Sequence, residues 1–192
     1  TLLITIYYTY YYYTAGIFRV FIMSLFFTHY VHRTLIFPFK LVNSKKMPIE
    51  IVLMGMIFNL FNTVMINRSI YLFADYEGYS IVRLIFGLII FFAGMYINIL
   101  HDYHVIKLKN NKEGYFIPNG YLFEYISSPN YFGEIMEWSG FALASNSFAG
   151  LVFAVSTFSN LFPRALEYKK WYINKFGDNY PKNRKAIIPY LI

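Results

Sequence analysis

A polar cluster near the start of the chain combines residue types that could act on a carbonyl group. It reads His29-Tyr30-Val31-His32-Arg33-Thr34 and directly follows an apolar stretch. A tyrosine hydroxyl can donate a hydrogen bond to a carbonyl oxygen while negative charge develops there. The alternative is an interfacial tyrosine beside an arginine whose guanidinium reaches lipid phosphate. The spacing by itself leaves both interpretations open.

Two further clusters carry amides and carboxylates. Asn98 and Asp102 are four residues apart, so they share one face of a helix. Asn130 can cap the helix that follows it, and Glu134 and Glu137 lie at the edge of an apolar stretch. The amide and the carboxylate of Asn98 and Asp102 could bind the polar atoms of a nucleotide. Alternatively, the two clusters only end helices in solvent or stabilise a helix N-terminus through its macrodipole.

The C-terminal tail is basic and interleaved with aromatic residues. This composition suits a phosphate-rich cofactor, because Arg and Lys bind phosphate oxygens. Contact with lipid headgroups is the alternative. The positions concerned are Arg164, Lys169, Lys170, Tyr172, Lys175, Lys182, Arg184 and Lys185.

The four histidines form two His-x-x-His pairs, at positions 29/32 and 101/104. Imidazole is a common iron ligand, but we expect a membrane di-iron site to need about twice as many histidines. We therefore predict no metal. The chain has no cysteine, which excludes disulfides, thiolate metal sites and cysteine nucleophiles. It also has no Gly-x-Gly-x-x-Gly or Walker loop, which excludes Rossmann and P-loop nucleotide sites.

The elements that must position these residues are membrane helices. Of the 192 residues, 57% are hydrophobic and 14% are charged, whereas soluble domains carry roughly 25% charged residues. An ordinary soluble or disordered protein is excluded, and the net charge of +7 does not indicate nucleic acid here. Apolar stretches predict about five spans: residues 14–30, 49–66, 81–100 and two helices folded back within 131–162. Residues 67–80 are predicted to form a loop. The predicted fold class is all-α, a multi-span integral membrane helical bundle.

The basic residues predict its orientation. Residues 32–48, 101–129 and 164–192 carry 4, 3 and 7 Lys or Arg, which is 14 of the 17 in the chain. These segments lie on one side when the spans alternate, so the positive-inside rule places them and the C-terminus in the cytosol.

Sequence blocks in a fixed order resemble the steroid 5α-reductase family, the NADPH-dependent 3-oxo-5α-steroid 4-dehydrogenases. The resemblance runs from about residue 20 to the C-terminus. Each block alone is weak, and their order with compatible spacing makes the resemblance specific. The blocks are Leu25-Phe26-Phe27-Thr28-His29-Tyr30-Val31-His32-Arg33-Thr34, Gly94-Met95-Tyr96-Ile97-Asn98-Ile99 with Asp102-Tyr103, Ile117-Pro118-Asn119-Gly120-Tyr121-Leu122-Phe123, Asn130-Tyr131-Phe132-Gly133-Glu134-Ile135-Met136-Glu137-Trp138, Arg164-Ala165-Leu166, Trp171-Tyr172 and Tyr180-Pro181-Lys182-Asn183-Arg184-Lys185-Ala186-Ile187-Ile188-Pro189.

The resemblance implies a seven-helix fold in the endoplasmic reticulum membrane. Residues 1–192 would be a single membrane domain, its C-terminal portion, and we expect N-terminal helices to be missing. A glutamate that pairs with the tyrosine of the His-Tyr motif in that family would lie a few residues before Thr1.

The resemblance also implies a reaction and its site. NADPH would bind from the cytosolic side, hydride would pass to C5 of a Δ4-3-oxo steroid, and a proton would follow at C4. Tyr30 would hydrogen-bond the substrate ketone, with Arg33 in support. The expected partners are a steroid or other lipid enone and membrane lipids, with no nucleic acid and no metal, and we expect a monomer. The expected cofactor contacts are Asn98, Asp102, Tyr115, Asn130, Glu134, Arg164, Tyr172 and Arg184.

Other interpretations stay open at this point. Trans-2-enoyl-CoA reductases and polyprenol reductases share parts of the C-terminal text and the same hydride chemistry. Membrane isoprenylcysteine methyltransferases have a comparable C-terminal half but use S-adenosylmethionine, which lacks the extra phosphate that the basic tail would bind. A structural or lipid-binding membrane protein is the non-enzyme alternative.

Overall fold

The fold is built from α-helices joined by short helical turns. We describe it from a computed structural model that covers residues 1–41, 47–110 and 114–192. The α-helices are α1 (Leu2–Tyr11), α2 (Ile17–Val31), α3 (Ile49–Arg68), α4 (Ile81–Asn110), α5 (Pro129–Ser145) and α6 (Phe148–Phe176). An isolated parallel bridge pairs Ile126 with Lys185.

The predicted all-α membrane bundle is confirmed. Within the described ranges, three helical stretches are long and apolar enough to cross a membrane: Ile17–Lys40, Ile49–Phe73 and Ile81–Asn110. The prediction of a loop over residues 67–80 is partly wrong, because helical structure continues through Arg68 into a π-helical turn, Ser69–Phe73. Helix α4 is also longer than predicted: it ends at Asn110, ten residues past the predicted end of its span.

The predicted hairpin near the C-terminal half is also present. Helix α5 ends at Ser145 and α6 begins at Phe148, so the break lies at the Ser145-Asn146-Ser147 cluster. Asn146 has a positive φ of 45°, a conformation that asparagine tolerates better than most residues. Helix α6 then continues through Pro163 to Phe176, which makes the first part of the basic tail helical.

The chain divides into two compact units. The first comprises Thr1–Leu88 and Phe141–Phe153. In it, three successive polar contacts, four residues apart on each side, join Thr1 and α1 to α3 and the π-helical turn that follows it. The Thr63 and Thr1 hydroxyls are 3.1 Å apart, Asn67 Nδ2 donates to Thr5 over 3.3 Å, and the Thr9 and Tyr71 hydroxyls are 2.8 Å apart. Within an apolar span such pairs hold helices together, because their polar atoms have no water to bind.

The second unit comprises Ile89–Gly140 and Ala154–Ile192. Its C-terminal segment lies against the residues that precede α5. Lys185 N–H donates to the Tyr125 carbonyl over 2.8 Å, and Ser127 N–H donates to the Lys185 carbonyl over 2.8 Å. A small apolar core anchors this segment: Ala165, Ala186 and Ile187 are buried, and Tyr131, Phe132, Ile135, Phe162, Leu166 and Ile188 pack against them.

Candidate functional site

The hydroxyl of Tyr30 lies at the wall of a cavity in the first unit. Tyr30 is on the last turn of α2, where its ring packs 4.7 Å from the ring of Phe26, centroid to centroid. Its hydroxyl donates a hydrogen bond of 2.9 Å to Oδ1 of Asn59 on α3. The predicted carbonyl-side donor is therefore half-buried, fixed in direction and open to a cavity.

That cavity has a volume of about 930 Å³, within the size range of small-molecule pockets. Its walls come from α1, α2 and α3 and are mostly aliphatic. The lining side chains that can hydrogen-bond are Thr1, Tyr30, Arg33, Thr34 and Asn59. A cavity of this kind can bury an apolar ligand and orient it through a few polar atoms.

Arg33 lines the same cavity as Tyr30. It lies in a π-helical turn, His32–Ile36, that directly follows α2, and its guanidinium lies 4.9 Å from the ring centroid of Phe37. The structure thus brings both predicted catalytic residues to one cavity, and their spacing of three residues is compatible with this.

The second unit brings four predicted cofactor residues into one hydrogen-bonded network. Asn98 Nδ2 donates to the Asn130 carbonyl over 3.0 Å and approaches Glu134 Oε2 at 3.5 Å. Asn130 Nδ2 donates to Asp102 Oδ1 over 3.0 Å. The prediction that Asn130 caps the helix is wrong, because α5 begins at Pro129 and Asn130 lies within its first turn.

Two glycines allow this network to form. A Cβ placed on Gly133 would lie 2.5 Å from the backbone nitrogen of Asn98, and one on Gly94 would lie 2.6 Å from the Gly133 carbonyl. Any larger residue would force α4 and α5 apart, because backbone atoms cannot move aside as a side-chain end can. The close crossing puts the side chains of α4 and α5 within hydrogen-bond reach of each other.

Tyr172 and Arg184 meet across the ring of Tyr180. The rings of Tyr172 and Tyr180 stack at 5.6 Å with an interplanar angle of 10°, and the Arg184 guanidinium lies 5.5 Å from the Tyr180 centroid. Burial, followed by the neighbouring Tyr180 and Tyr168 hydroxyls, raises the pKa of Tyr172 to about 12. Its hydroxyl is therefore protonated at neutral pH and can act as a donor.

Arg184 is 3% exposed and donates to the Pro118 carbonyl over 2.9 Å. Its Nε atom is buried and has no hydrogen-bond partner among the described residues. A buried guanidinium N–H without an acceptor is costly, so this atom marks a place where an anionic group would be stabilising.

The last two predicted cofactor residues lie at the surface. Arg164 is exposed on α6. Tyr115 is 58% exposed and packs with Trp171, their ring centroids 5.1 Å apart, while Lys175 Nζ lies 5.5 Å from the Tyr115 centroid. Neither residue joins the network around Asp102 through a described hydrogen bond.

The second His-x-x-His pair anchors a loop. His101 Nδ1 is 2.7 Å from the Ile97 carbonyl, and its Nε2 accepts from the Leu122 N–H over 3.2 Å. His104 Nε2 is 2.6 Å from the Asn119 carbonyl. Both histidines thus hold the residues after Pro118 against α4. In the part of the chain that the structure describes, no group of three or more His, Asp or Glu side chains could hold a metal ion.

Asn59 is the site residue that sequence reasoning did not identify. It is one of few polar residues in an otherwise apolar predicted span. A signal was available: Asn59, Thr63 and Asn67 recur every four residues and mark one polar face on an apolar helix. What such a face contacts depends on the packing of α1 and α2, which the sequence pattern of α3 does not contain.

Known proteins similar to this chain agree on one family. A family model described as 3-oxo-5-alpha-steroid 4-dehydrogenase matches residues 45–192. Steroid 5-alpha-reductase DET2 of Solanum lycopersicum is 47% identical over 175 residues, covering 88% of this chain and 68% of that protein. The 3-oxo-5-alpha-steroid 4-dehydrogenase 1 of Bos taurus is 45% identical over 175 residues, covering 89% of this chain and 67% of that protein. The family model covers more than half of the chain and both relatives are more than 40% identical, so the chain belongs to the 3-oxo-5-alpha-steroid 4-dehydrogenase family.

Proposed function

We propose that this protein catalyses the NADPH-dependent reduction of the Δ4 double bond of a 3-oxo steroid, adding hydride at C5 and a proton at C4. The observation that carries the proposal is the mostly apolar cavity of about 930 Å³ with the Tyr30 hydroxyl on its wall. A steroid is a rigid apolar body with a polar group at its end, and such a cavity matches that chemistry. The family match favours a reductase over the methyltransferase and non-enzyme alternatives.

Tyr30 would bind the substrate ketone. Its O–H would donate to the ketone oxygen, and this hydrogen bond would strengthen as negative charge builds on that oxygen in the transition state. Arg33, three residues further on, adds a positive charge to the same cavity wall and would stabilise the same developing charge. The aliphatic walls would keep water away from the reacting carbons.

The residues of the second unit would hold the cofactor. Asn98, Asp102, Asn130 and Glu134 offer amide and carboxylate groups to riboses and the carboxamide, and Arg164, Tyr172 and Arg184 offer donors to phosphates. Tyr115, beside Lys175, would add an aromatic surface. The unpartnered Nε of Arg184 is consistent with an anionic ligand there. NADPH, when bound, supplies the hydride.

The setting of the reaction is part of the proposal. We place the protein in the endoplasmic reticulum membrane as a monomer, with its C-terminus in the cytosol and lipids around its apolar helices. Three apolar stretches long enough to span support a membrane location. The excess of Lys and Arg in residues 32–48, 101–129 and 164–192 supports the orientation.

The test uses microsomes from cells that express the protein. NADPH would be supplied with a Δ4-3-oxo steroid, and separately with a trans-2-enoyl-CoA and a polyprenol-type substrate, and the products identified by mass spectrometry. A 5α-reduced steroid is the expected product. Reduction of another enone alone would keep the chemistry and reject the steroid, whereas no reduction of any, with the protein folded, would reject the proposed function.

A further inference from the structure

Asn59 accepts the one hydrogen bond that the Tyr30 hydroxyl can donate. The Tyr30 hydroxyl points at Asn59 Oδ1 over 2.9 Å, a normal length for such a bond. Both side chains line the cavity. A phenol has a single donor hydrogen. Without a ligand, the hydrogen bond that Tyr30 would donate to the ketone is therefore donated to Asn59.

The orientation of the Asn59 amide is set by its own helix. Its Nδ2 donates to the Gly55 carbonyl one turn earlier over 2.8 Å, which leaves Oδ1 directed at Tyr30. Its backbone carbonyl accepts from Thr63 over 2.6 Å. Because Thr63 in turn contacts Thr1, the amide sits at the end of the polar face that joins α3 to α1.

We propose that Asn59 is a positioning residue for Tyr30: its amide oxygen accepts the phenol's hydrogen bond at the cavity wall and gives up that bond when the substrate ketone takes its place as acceptor. This inference rests on the proposed function. A neutral amide is a weaker acceptor than a carboxylate, so it can orient the phenol and still be displaced by a ketone oxygen. A carboxylate at position 59 would accept this hydrogen bond more strongly and keep it, and an aliphatic side chain would remove it.

The first experiment is a double-mutant cycle on steroid reduction in microsomes, with Asn59→Leu, Tyr30→Phe and the double variant. We expect Asn59→Leu to lower kcat by about tenfold to a hundredfold, since misplacing a reacting group by about 1 Å can cost about a hundredfold. In the Tyr30→Phe background the same change should alter kcat by less than about twofold, because Asn59 then has no phenol to position. Equal losses in both backgrounds would overturn the proposal.

The second variant, Asn59→Asp, has nearly the shape of the native side chain and guards against misfolding of the leucine variant. We expect its kcat to be low at neutral pH and to recover as pH falls and the carboxyl becomes protonated, since a neutral carboxyl again offers a carbonyl oxygen to Tyr30. The wild type should lack this pH limb. A pH profile parallel to that of the wild type would contradict the assigned role.

Asn62→Leu is the matched control. Asn62 lies on the same helix three residues further on, and it is not among the residues that line the cavity. Its kcat should match the wild type. If wild-type microsomes reduce no steroid, the proposed function fails and the role of Asn59 with it; if they do and the cycle is additive, only the role of Asn59 fails.

Discussion

Asn130 Nδ2 and Asp102 Oδ1 are 3.0 Å apart, so the first turn of α5 is tied to one face of α4. The tie is reciprocal, because Asn98 on the same face of α4 donates back to the Asn130 carbonyl over 3.0 Å. Asn98 and Asp102 are themselves nearly buried, at 2% and 9% exposure. The proposed cofactor contacts are therefore also the bonds that hold these two helices in register.

Replacing Asp102 by Ala should weaken NADPH binding about tenfold or more. The change removes a proposed cofactor contact. It also leaves the Asn130 amide without its acceptor, which costs about 1–3 kcal/mol of folding stability. The measurement is titration of NADPH against the purified variant in detergent. Asp102→Asn is the control that keeps an acceptor oxygen for Asn130, and it should bind NADPH better than the alanine variant. Unchanged affinity in Asp102→Ala would remove Asp102 from the cofactor site.

Arg164→Ala should weaken NADPH binding without destabilising the protein. Arg164 is exposed on α6, and surface substitutions usually change stability by no more than about 0.5 kcal/mol. If Arg164 contacts the additional phosphate of NADPH, its loss should cost more in NADPH affinity than in NADH affinity. Lys170→Ala, an exposed cation on the same helix, is the matched control. Equal effects of the two variants on NADPH would argue for a general charge effect.

Gly133→Ala should lower the melting temperature of the detergent-solubilised protein. The added Cβ would lie 2.5 Å from the Asn98 backbone nitrogen and 2.7 Å from the Gly94 carbonyl, so the helices must separate. Such overpacking costs about 1–3 kcal/mol or more. Gly55→Ala is the control, since a Cβ there meets nothing within 4 Å and alanine favours the helix. A stable Gly133→Ala variant would show that α4 and α5 can separate without loss.

Tyr172→Phe should make the protein more resistant to alkaline unfolding. Burial raises the pKa of Tyr172 from 10.0 to about 12. Above pH 10 the unfolded chain loses this proton while the folded chain keeps it, so stability falls as pH rises toward 12. The variant lacks this penalty, worth about 1 kcal/mol near pH 11.

Melting temperatures of wild type and variant between pH 9 and pH 11.5 provide the measurement. The decrease in melting temperature with rising pH should be smaller for Tyr172→Phe than for the wild type. The exposed Tyr10→Phe change controls for the loss of a hydroxyl as such. Parallel curves for wild type and Tyr172→Phe would mean that Tyr172 titrates alike in the folded and unfolded chains.

The site was predictable from the sequence to different degrees. The pairing of Asn98 with Asp102 follows from helical spacing, and the structure places both on one face of α4. The role of Asn130 did not follow, because its amide donates to a carboxylate on α4, and the sequence of α5 alone does not show that α4 lies this close. Gly94 and Gly133 allow α4 and α5 to approach this closely, and these two glycines are 39 residues apart in the sequence.

The sequence by itself determined that this is an all-α membrane protein, where its apolar helices lie, and to which family it belongs. Those properties depend on composition, on hydrophobic periodicity and on local sequence motifs, all of which can be read from the sequence. Only the tertiary structure decided that a π-helical turn extends the helical structure beyond α3 to Phe73, that Tyr30 donates to Asn59, and that Arg184 is buried over Tyr180. These depend on which helix faces pack together, and that choice is made by contacts between residues distant in sequence.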